Sequence, residues 1–538
     1  MSYLERIPGF AALSGIIKTI RWPHLILAAV AFGVILRLMH FGFGRMLWLD
    51  EATIAINFLV RDGTDYFEAL EFRQIAPPIW MMVSDGLWSF TGNLEYGGRV
   101  LSLLAGLTAF ILFWRLVRER FSSPIVLVAV AVFAFSYMPV YYSAEIKPYI
   151  FDLLFSIIVL VQGLRLFEKD DWRLSDSLWL GVTLILTSCF AMGAPMIIGG
   201  FGGLLGLKAL MERRWSAVTV LVVSGTIAAL IYVVPALSAF QVQIDQSGLD
   251  QGGMGEFFRR HFAPFPPTSL RDLAWYIEIV QDTLTPMVGR ESNYAYVVLI
   301  IIGSVVVARQ SLWKLAFILA PIAVGFVLSA AQIYPIMSRL ALYIFPIAVL
   351  LASFALEKLI SELPKRVNWI VVAAIALMSI GSVTWYRYYN TFNPTADPKD
   401  MSQELQAIAD EITPDEILVV SAWSLPAFLL YRHTYGLDQI NWTVVDRVEC
   451  FFEPPIDIQN RSRVWYLRGP FEGPGPRRTT TTFDLILDDV PQRIDLKTID
   501  NRLDRLKYLD AAPTEPLEGS CEGREVEEYL LFGGRPPL

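Results

Sequence analysis

Two adjacent carboxylates, Asp50 and Glu51, follow directly on the first apolar run of the chain, in Met46-Leu47-Trp48-Leu49-Asp50-Glu51-Ala52. A charged pair where a span leaves the membrane costs desolvation free energy against lipid, so it should face a polar cavity. A carboxylate in such a cavity can take a proton from a hydroxyl as a general base. Three further clusters carry chemistry-bearing side chains. Gln74-Ile75-Ala76-Pro77-Pro78-Ile79-Trp80 holds a proline pair that forces an extended bend. Tyr141-Tyr142-Ser143-Ala144-Glu145-Ile146-Lys147-Pro148-Tyr149 crowds acid, base and phenols into one turn. Tyr334-Pro335-Ile336-Met337-Ser338-Arg339 delivers an arginine to the start of a late apolar run, as Arg99 does earlier. Arg259, Arg260 and His261 add a basic patch in a long loop. Each has a plainer reading: an acidic pair ends many membrane helices, and a lone interfacial arginine usually snorkels to headgroups. Glu145 and Lys147 can pair locally, and His261 can serve as a surface aromatic.

The elements that must position these residues are membrane spans. The 538-residue chain is 54% hydrophobic and 18% charged. Its apolar residues gather in runs of the roughly 20 residues that cross a hydrocarbon core. About eleven such runs centre near 25–41, 99–116, 122–140, 149–167, 177–190, 192–210, 216–237, 293–309, 312–330, 338–357 and 368–386. The fold expected is a polytopic α-helical membrane protein. Short loops bearing Lys18/Arg21, Arg115/Arg118/Arg120, Arg165/Lys169/Arg173, Lys208/Arg213/Arg214, Arg309/Lys314 and Lys358/Lys365/Arg366 are cytoplasmic by the positive-inside rule. The amino terminus is then inside, and 42–98, 141–148, 238–292, 331–337 and everything after 387 lie outside. The first twenty residues show no cleavable-signal pattern, so the first span is expected to remain as an anchor.

The two long outer loops carry amphipathic patterns suited to the membrane surface: Glu51 to Arg61, Asp65 to Phe72, Trp80 to Phe90, and Glu256 to Phe262 after a glycine-rich stretch. From 387 the composition becomes that of a soluble domain, with 16 Lys/Arg against 26 Asp/Glu, so the domain carries net −10 of the chain's −8. An acidic domain lacks the basic face that nucleic-acid binding requires. Helical patterns at Ser402–Glu411 and Leu425–Tyr431 alternate with strand patterns at 416–420, 442–445 and 464–467, which predicts a small α/β domain. The expected organisation is a membrane domain over 1–386 and a small soluble α/β domain over 387–538. Cys450 and Cys521 fall in that outer domain, where a disulfide is chemically permitted. No Cys/His cluster has metal-ligand spacing.

The clusters share one face by this topology, with carboxylates in one loop and cations in others. Arg and Lys match phosphate oxygens, and a nearby carboxylate can activate an acceptor hydroxyl. This is the equipment for transferring a sugar from a lipid phosphate.

Over roughly 20–390 the chain resembles the GT-C superfamily of integral-membrane glycosyltransferases. The likeness is to the branch of the protein O-mannosyltransferases, the lipid A aminoarabinose transferase and the rhizobial galacturonosyltransferases. It rests on Trp48-Leu49-Asp50-Glu51, Ala76-Pro77-Pro78, Glu95-Tyr96-Gly97-Gly98-Arg99, Tyr142 through Tyr149, and Tyr334…Arg339…Pro346. The resemblance implies an inverting glycosyltransferase that uses a polyprenyl-monophosphate sugar, with a lipid, polysaccharide or protein as acceptor. It implies a multi-pass protein of the bacterial inner membrane whose C-terminal domain is periplasmic. Asp50 would be the base, and Glu51 would support it or approach a metal. Lys147, Arg259, Arg260, Arg339 and Tyr334 would hold the donor phosphate, supported by Glu145, Arg99, Tyr149 and His261. His261 falls where some relatives place a metal ligand. Relatives often show His-Pro-Pro or Glu-Lys-Pro where this chain has Gln74-Ile75-Ala76 before the proline pair, which removes one expected charge. Donor identity and metal dependence therefore stay open. A lipid or solute transporter without chemistry is the alternative; it predicts internal repeats or matched broken spans, and none is evident. A scaffold whose outer domain binds a partner is a second, and it would make Asp50 dispensable.

Overall fold

The computed structural model describes residues 22–61, 63–169, 171–246, 260–289, 292–362, 401–414, 416–421, 424–445, 464–467, 481–487 and 490–496. Two compact units divide the chain: one is formed by 1–43 with 75–392, the other by 44–74 with 393–538.

The first unit is helical. Among the described residues eight helices are long and apolar enough to cross a membrane: Trp22–Gly42, Leu94–Arg120, Tyr149–Phe167, Ala194–Met211, Trp215–Val233, Asn293–Gln310, Leu312–Ala330 and Leu342–Glu362. Ser123–Phe135 and Tyr137–Ala144 form a further pair bent by 58°, and Leu174–Phe190 is a shorter apolar helix. The expected span at 368–386 lies outside the described residues. The helices pack through small residues, as expected where lipid removes the hydrophobic drive between them. A side chain at Gly303 would overlap the Leu351 backbone, and one at Gly200 would overlap the backbone of Ala320 and Pro321. Both pairs of helices therefore touch backbone to backbone.

Helix Pro78–Thr91 begins at the proline pair, with Pro77 extended at φ −61°, ψ 126°. Helix Leu270–Val288 opens on a reciprocal cap between Ser269 and Asp272. Thr268 and Ser269 bonds hold the exposed Asp272 carboxyl below the usual carboxylate range. That helix buries Ile279, Thr283 and Met287 and exposes Leu270, Leu273 and Ile277. A second apolar stripe of this kind suits a helix lying at a membrane surface.

The second unit contains a parallel three-stranded sheet ordered β2-β1-β3, with β1 Ile417–Ser421, β2 Asn441–Val445 and β3 Val464–Leu467. Leu418 pairs with Trp442 on one side and Trp465 on the other. The sheet core includes Leu418, Val420, Trp465 and Leu467. Helix Leu425–Tyr431 packs on helix Leu49–Val60 of the first loop, and the Leu47 amide donates to the Tyr431 hydroxyl at 2.9 Å. Strands β4 (Thr481–Leu487) and β5 (Val490–Leu496) form an antiparallel hairpin. Cys450 and Cys521 lie outside the described residues.

The expected helix over Asp65–Phe72 is replaced by two 3₁₀ turns, Gly63–Phe67 and Glu71–Arg73. The Arg61 guanidinium causes this: it donates to the carbonyls of Asp65 (3.0 Å) and Ala69 (2.5 Å) and to the Glu71 carboxylate (3.0 Å). The segment winds around one cation instead of closing its own helical ladder.

Candidate active site

In the first unit the polar turn Tyr141–Tyr149 is buried along its whole length. Sequence places it in an outer loop; the structure folds it back against the helices. The bend at Ser136 turns the chain, and the Ser136 hydroxyl donates to the Met287 carbonyl. The turn then docks on one face of helix Leu94–Arg120. Gly98, Ser102 and Gly106 recur at every fourth position and share that face. A side chain at Gly98 would meet Ile146, and one at Gly106 would overlap Ser143. Between them, the Ser102 hydroxyl donates to the Glu145 carbonyl at 2.7 Å. Two glycines and a serine thus hold the turn at backbone distance from the helix that carries Arg99.

Buried charge is concentrated here. Glu145 is 0% exposed, Arg99 2% and Lys147 5%, and His40 at the end of the first span is 1%. Charges so removed from water persist only with partners, and each of these four has interactions. The phenols Tyr137, Tyr141, Tyr142 and Tyr149 form a run of ring contacts at 5.1–5.2 Å, with His40 5.5 Å from Tyr141. Tyr334 is also buried and donates to the Leu340 carbonyl at 3.3 Å. Burial and the charges of Asp152 and neighbouring phenols raise its hydroxyl well above the ordinary value, so it is a neutral donor at physiological pH. Arg339 is half-buried in the turn before the span Leu342–Glu362.

The loop residues fall differently. Arg260 is exposed, and its carbonyl accepts from the Trp275 indole at 2.7 Å. The His261 carbonyl accepts from the Ile336 amide at 2.9 Å, tying this loop to the Tyr334–Arg339 segment. Arg259 lies outside the described residues. In the second unit Asp50 and Glu51 occupy the first turn of helix Leu49–Val60, with Glu51 fully buried and Asp50 half-buried. Free amide groups at a helix start favour acidic side chains there. Among the described residues no group of three or more His, Cys, Asp or Glu could hold a metal ion.

Three buried groups escaped the sequence reading: Arg37, His40 and Asp152, each inside a span. An ionisable residue within an apolar run was the available signal. Arg37 donates to the Gly33 and Phe133 carbonyls and lies 4.7 Å from the Phe110 ring centroid, which is a structural use of the charge.

Residues 76–238, which include the docked turn and its supporting helix, match the family model described as dolichyl-phosphate-mannose-protein mannosyltransferase. Over these residues the chain is similar to that mannosyltransferase family. Among solved structures, the chain is similar to apo ArnT from Cupriavidus metallidurans at 13% identity and a TM-score of 0.45, covering 81% of this chain and 87% of that one. Archaeal oligosaccharyltransferase AglB from Archaeoglobus fulgidus, in complex with an inhibitory peptide and a dolichol-phosphate, gives 13% identity, 78% and 63% coverage, and a TM-score of 0.44. The S. cerevisiae Pmt1-Pmt2 complex bound to its sugar donor gives 18% identity over 46% of this chain and 36% of that chain, with a TM-score of 0.29. No curated protein sequence matches the chain.

Proposed function

We propose that this chain is a glycosyltransferase of the GT-C superfamily that transfers a sugar, with inversion, from a polyprenyl-monophosphate donor to a hydroxyl of a lipid, polysaccharide or protein, at the outer face of the bacterial inner membrane. The observation that carries the reading is the buried Lys147 and Arg99 on and beneath a turn that lies within the segment matching the mannosyltransferase family. Cations already withdrawn from water interact strongly with a phosphate, and they stabilise the charge that develops as a phosphate leaves.

In the proposed step Asp50 takes the proton of the acceptor hydroxyl. The acceptor oxygen bonds to the anomeric carbon while the bond from that carbon to the donor phosphate oxygen breaks, and polyprenyl phosphate departs with the electron pair. Lys147, Arg339 and the loop arginines Arg259 and Arg260 hold the phosphate oxygens, and the neutral Tyr334 hydroxyl turns from the Leu340 carbonyl to donate to them. Glu145, Arg99, Tyr149 and His261 support them. An inverting transfer needs one base and a stabilised leaving group, with no second carboxylate as nucleophile.

The test is consumption of a panel of polyprenyl-phosphate sugars by purified protein in lipid, with Asp50→Asn in parallel. Wild type should consume one donor, and the variant should lose at least about 10²-fold in kcat, the usual contribution of a general base, while still binding donor. Equal turnover by the variant would remove Asp50 from the mechanism.

A further inference from the structure

Asp152 lies one turn inside helix Tyr149–Phe167, about 5 Å deeper than Tyr149, and is fully buried. Its Oδ1 accepts the Gly193 amide at 2.7 Å. Its Oδ2, equally buried, makes no well-formed hydrogen bond among the described residues, although the Met192 amide also lies beside the carboxyl group. Leaving a buried carboxylate oxygen unbonded is costly, so this atom is suited to receive a donor from a bound molecule.

The surroundings narrow what that molecule is. One turn further along the helix, the Ser156 hydroxyl donates to the Tyr343 carbonyl at 2.8 Å, which fixes the start of Leu342–Glu362 beside this stretch. Tyr232 donates to the Met192 carbonyl at 2.8 Å, beside the Gly193 amide that Asp152 accepts. The wall is cut back at two glycines: a side chain at Gly193 would stand 3.2 Å from the Asp152 carboxyl carbon, and one at Gly325 would overlap the Tyr343 hydroxyl. A carboxylate repels a phosphate, and a cluster of polar atoms gives nothing to a polyprenyl tail. A neutral polyhydroxyl ring satisfies both the carboxylate and the phenols.

We propose that Asp152, with Tyr343, binds a hydroxyl group of the donor sugar, in a subsite adjoining Lys147 and Tyr334, assigned above to the phosphate, and the supporting Tyr149. The subsite rests on the donor chemistry proposed above. A donor sugar fits it better than an acceptor, because the groups come from the spans Tyr149–Phe167, Trp215–Val233 and Leu342–Glu362 and from the turn after Ala330. A lipid-borne sugar can slide in among spans, whereas a polymer cannot.

The experiment compares wild type, Asp152→Asn and Tyr343→Phe on the donor that wild type consumes and on each of its monodeoxy analogues. Wild type should reject one analogue by about 10- to 150-fold in kcat/KM, the range for a lost hydrogen bond to a charged group. Asp152→Asn should lose most of that discrimination at the same hydroxyl. Tyr343→Phe should lose it at that hydroxyl or its neighbour, and serves alone if the Asp152 variant does not fold. Affinity for sugar-free polyprenyl phosphate should stay at the wild-type value in both. Unchanged discrimination in the folded variants, or an equal fall in sugar-free binding, overturns the subsite and makes Asp152 a structural tie to Gly193. If wild type consumes no donor, the donor reading fails and the subsite fails with it.

Discussion

The approach of Gly98 to Ile146 predicts how a single methyl group should act. In Gly98→Ala the new carbon would stand 2.5 Å from Ile146 Cδ1, 3.0 Å from Cγ1 and 3.5 Å from Cγ2. Carbon pairs attract best at about 3.5–4.0 Å, so the first two contacts are repulsive. Overpacking of this kind costs about 1–3 kcal/mol, partly offset by the ~1 kcal/mol by which alanine exceeds glycine inside a helix. The variant should therefore lose up to about 2 kcal/mol. Ile146→Val removes Cδ1 at a cost of its own of ~0.5–1.5 kcal/mol. If Cδ1 is the obstacle, the double variant should be more stable than the sum of the singles by at least about 0.5 kcal/mol, the lower bound for coupled neighbours. Gly106→Ala is the control: its methyl would stand 2.7 Å from Ser143 Cβ and 3.3 Å from Ser143 Cα. Backbone cannot rotate aside, so Ser143→Ala should leave most of that loss in place. Thermal unfolding in lipid nanodiscs reads all of these. A double variant that is strictly additive at 98 and 146 would refute the docking of the turn through this contact.

The second unit supplies two further tests. Trp465 donates to the buried Glu416 carboxylate at 2.8 Å, which also accepts the Thr413 amide at 3.0 Å. Trp465→Phe should cost about 2–3 kcal/mol through the lost charged hydrogen bond; hydrogen exchange should show faster opening of β1, and unchanged protection there would contradict the assignment. Burial raises the Glu71 carboxyl above its ordinary 4.5, outweighing the Arg61 guanidinium beside it. Its contribution to stability is complete below pH 4.5 and is lost as pH rises through the higher folded value. Glu71→Gln should flatten that decline in a series of melting curves from acid to neutral pH, and parallel curves for the two proteins would contradict it.

The sequence made the spans legible because an apolar run long enough to cross a membrane has few other uses, and Tyr149–Phe167 and Leu312–Ala330 begin and end where hydropathy places them. Helix ends are set by polar groups that hydropathy ignores. The run near 99–116 becomes Leu94–Arg120 because the Asn93 side chain caps the Tyr96 amide at 2.9 Å. The break at Ser136 is explained by Pro139, whose ring would meet the Phe135 carbonyl if the helix ran on, and the Ser136 hydroxyl ties the corner to the Met287 carbonyl. Asp152 was legible as a charge within an apolar run and was passed over for residues in loops. Gly98, Ser102 and Gly106 could be seen as a small-residue spacing, but only the docked turn shows what they receive. The grouping of Asp50 and Glu51 with residues beyond 392 is a long-range pairing that local pattern does not encode.

That pairing also sets a schedule. The Leu47 amide and the Tyr431 hydroxyl that accepts from it are 384 residues apart. At about 5–20 residues per second, the acidic helix waits roughly 20–80 s for its partner to be synthesised. All the described spans after Trp22–Gly42 are made in that interval. The helix carrying Asp50 must spend it outside its final packing, so the unit that matures last holds the residue proposed for proton transfer, and a chain released early would hold its spans yet leave that residue unsupported.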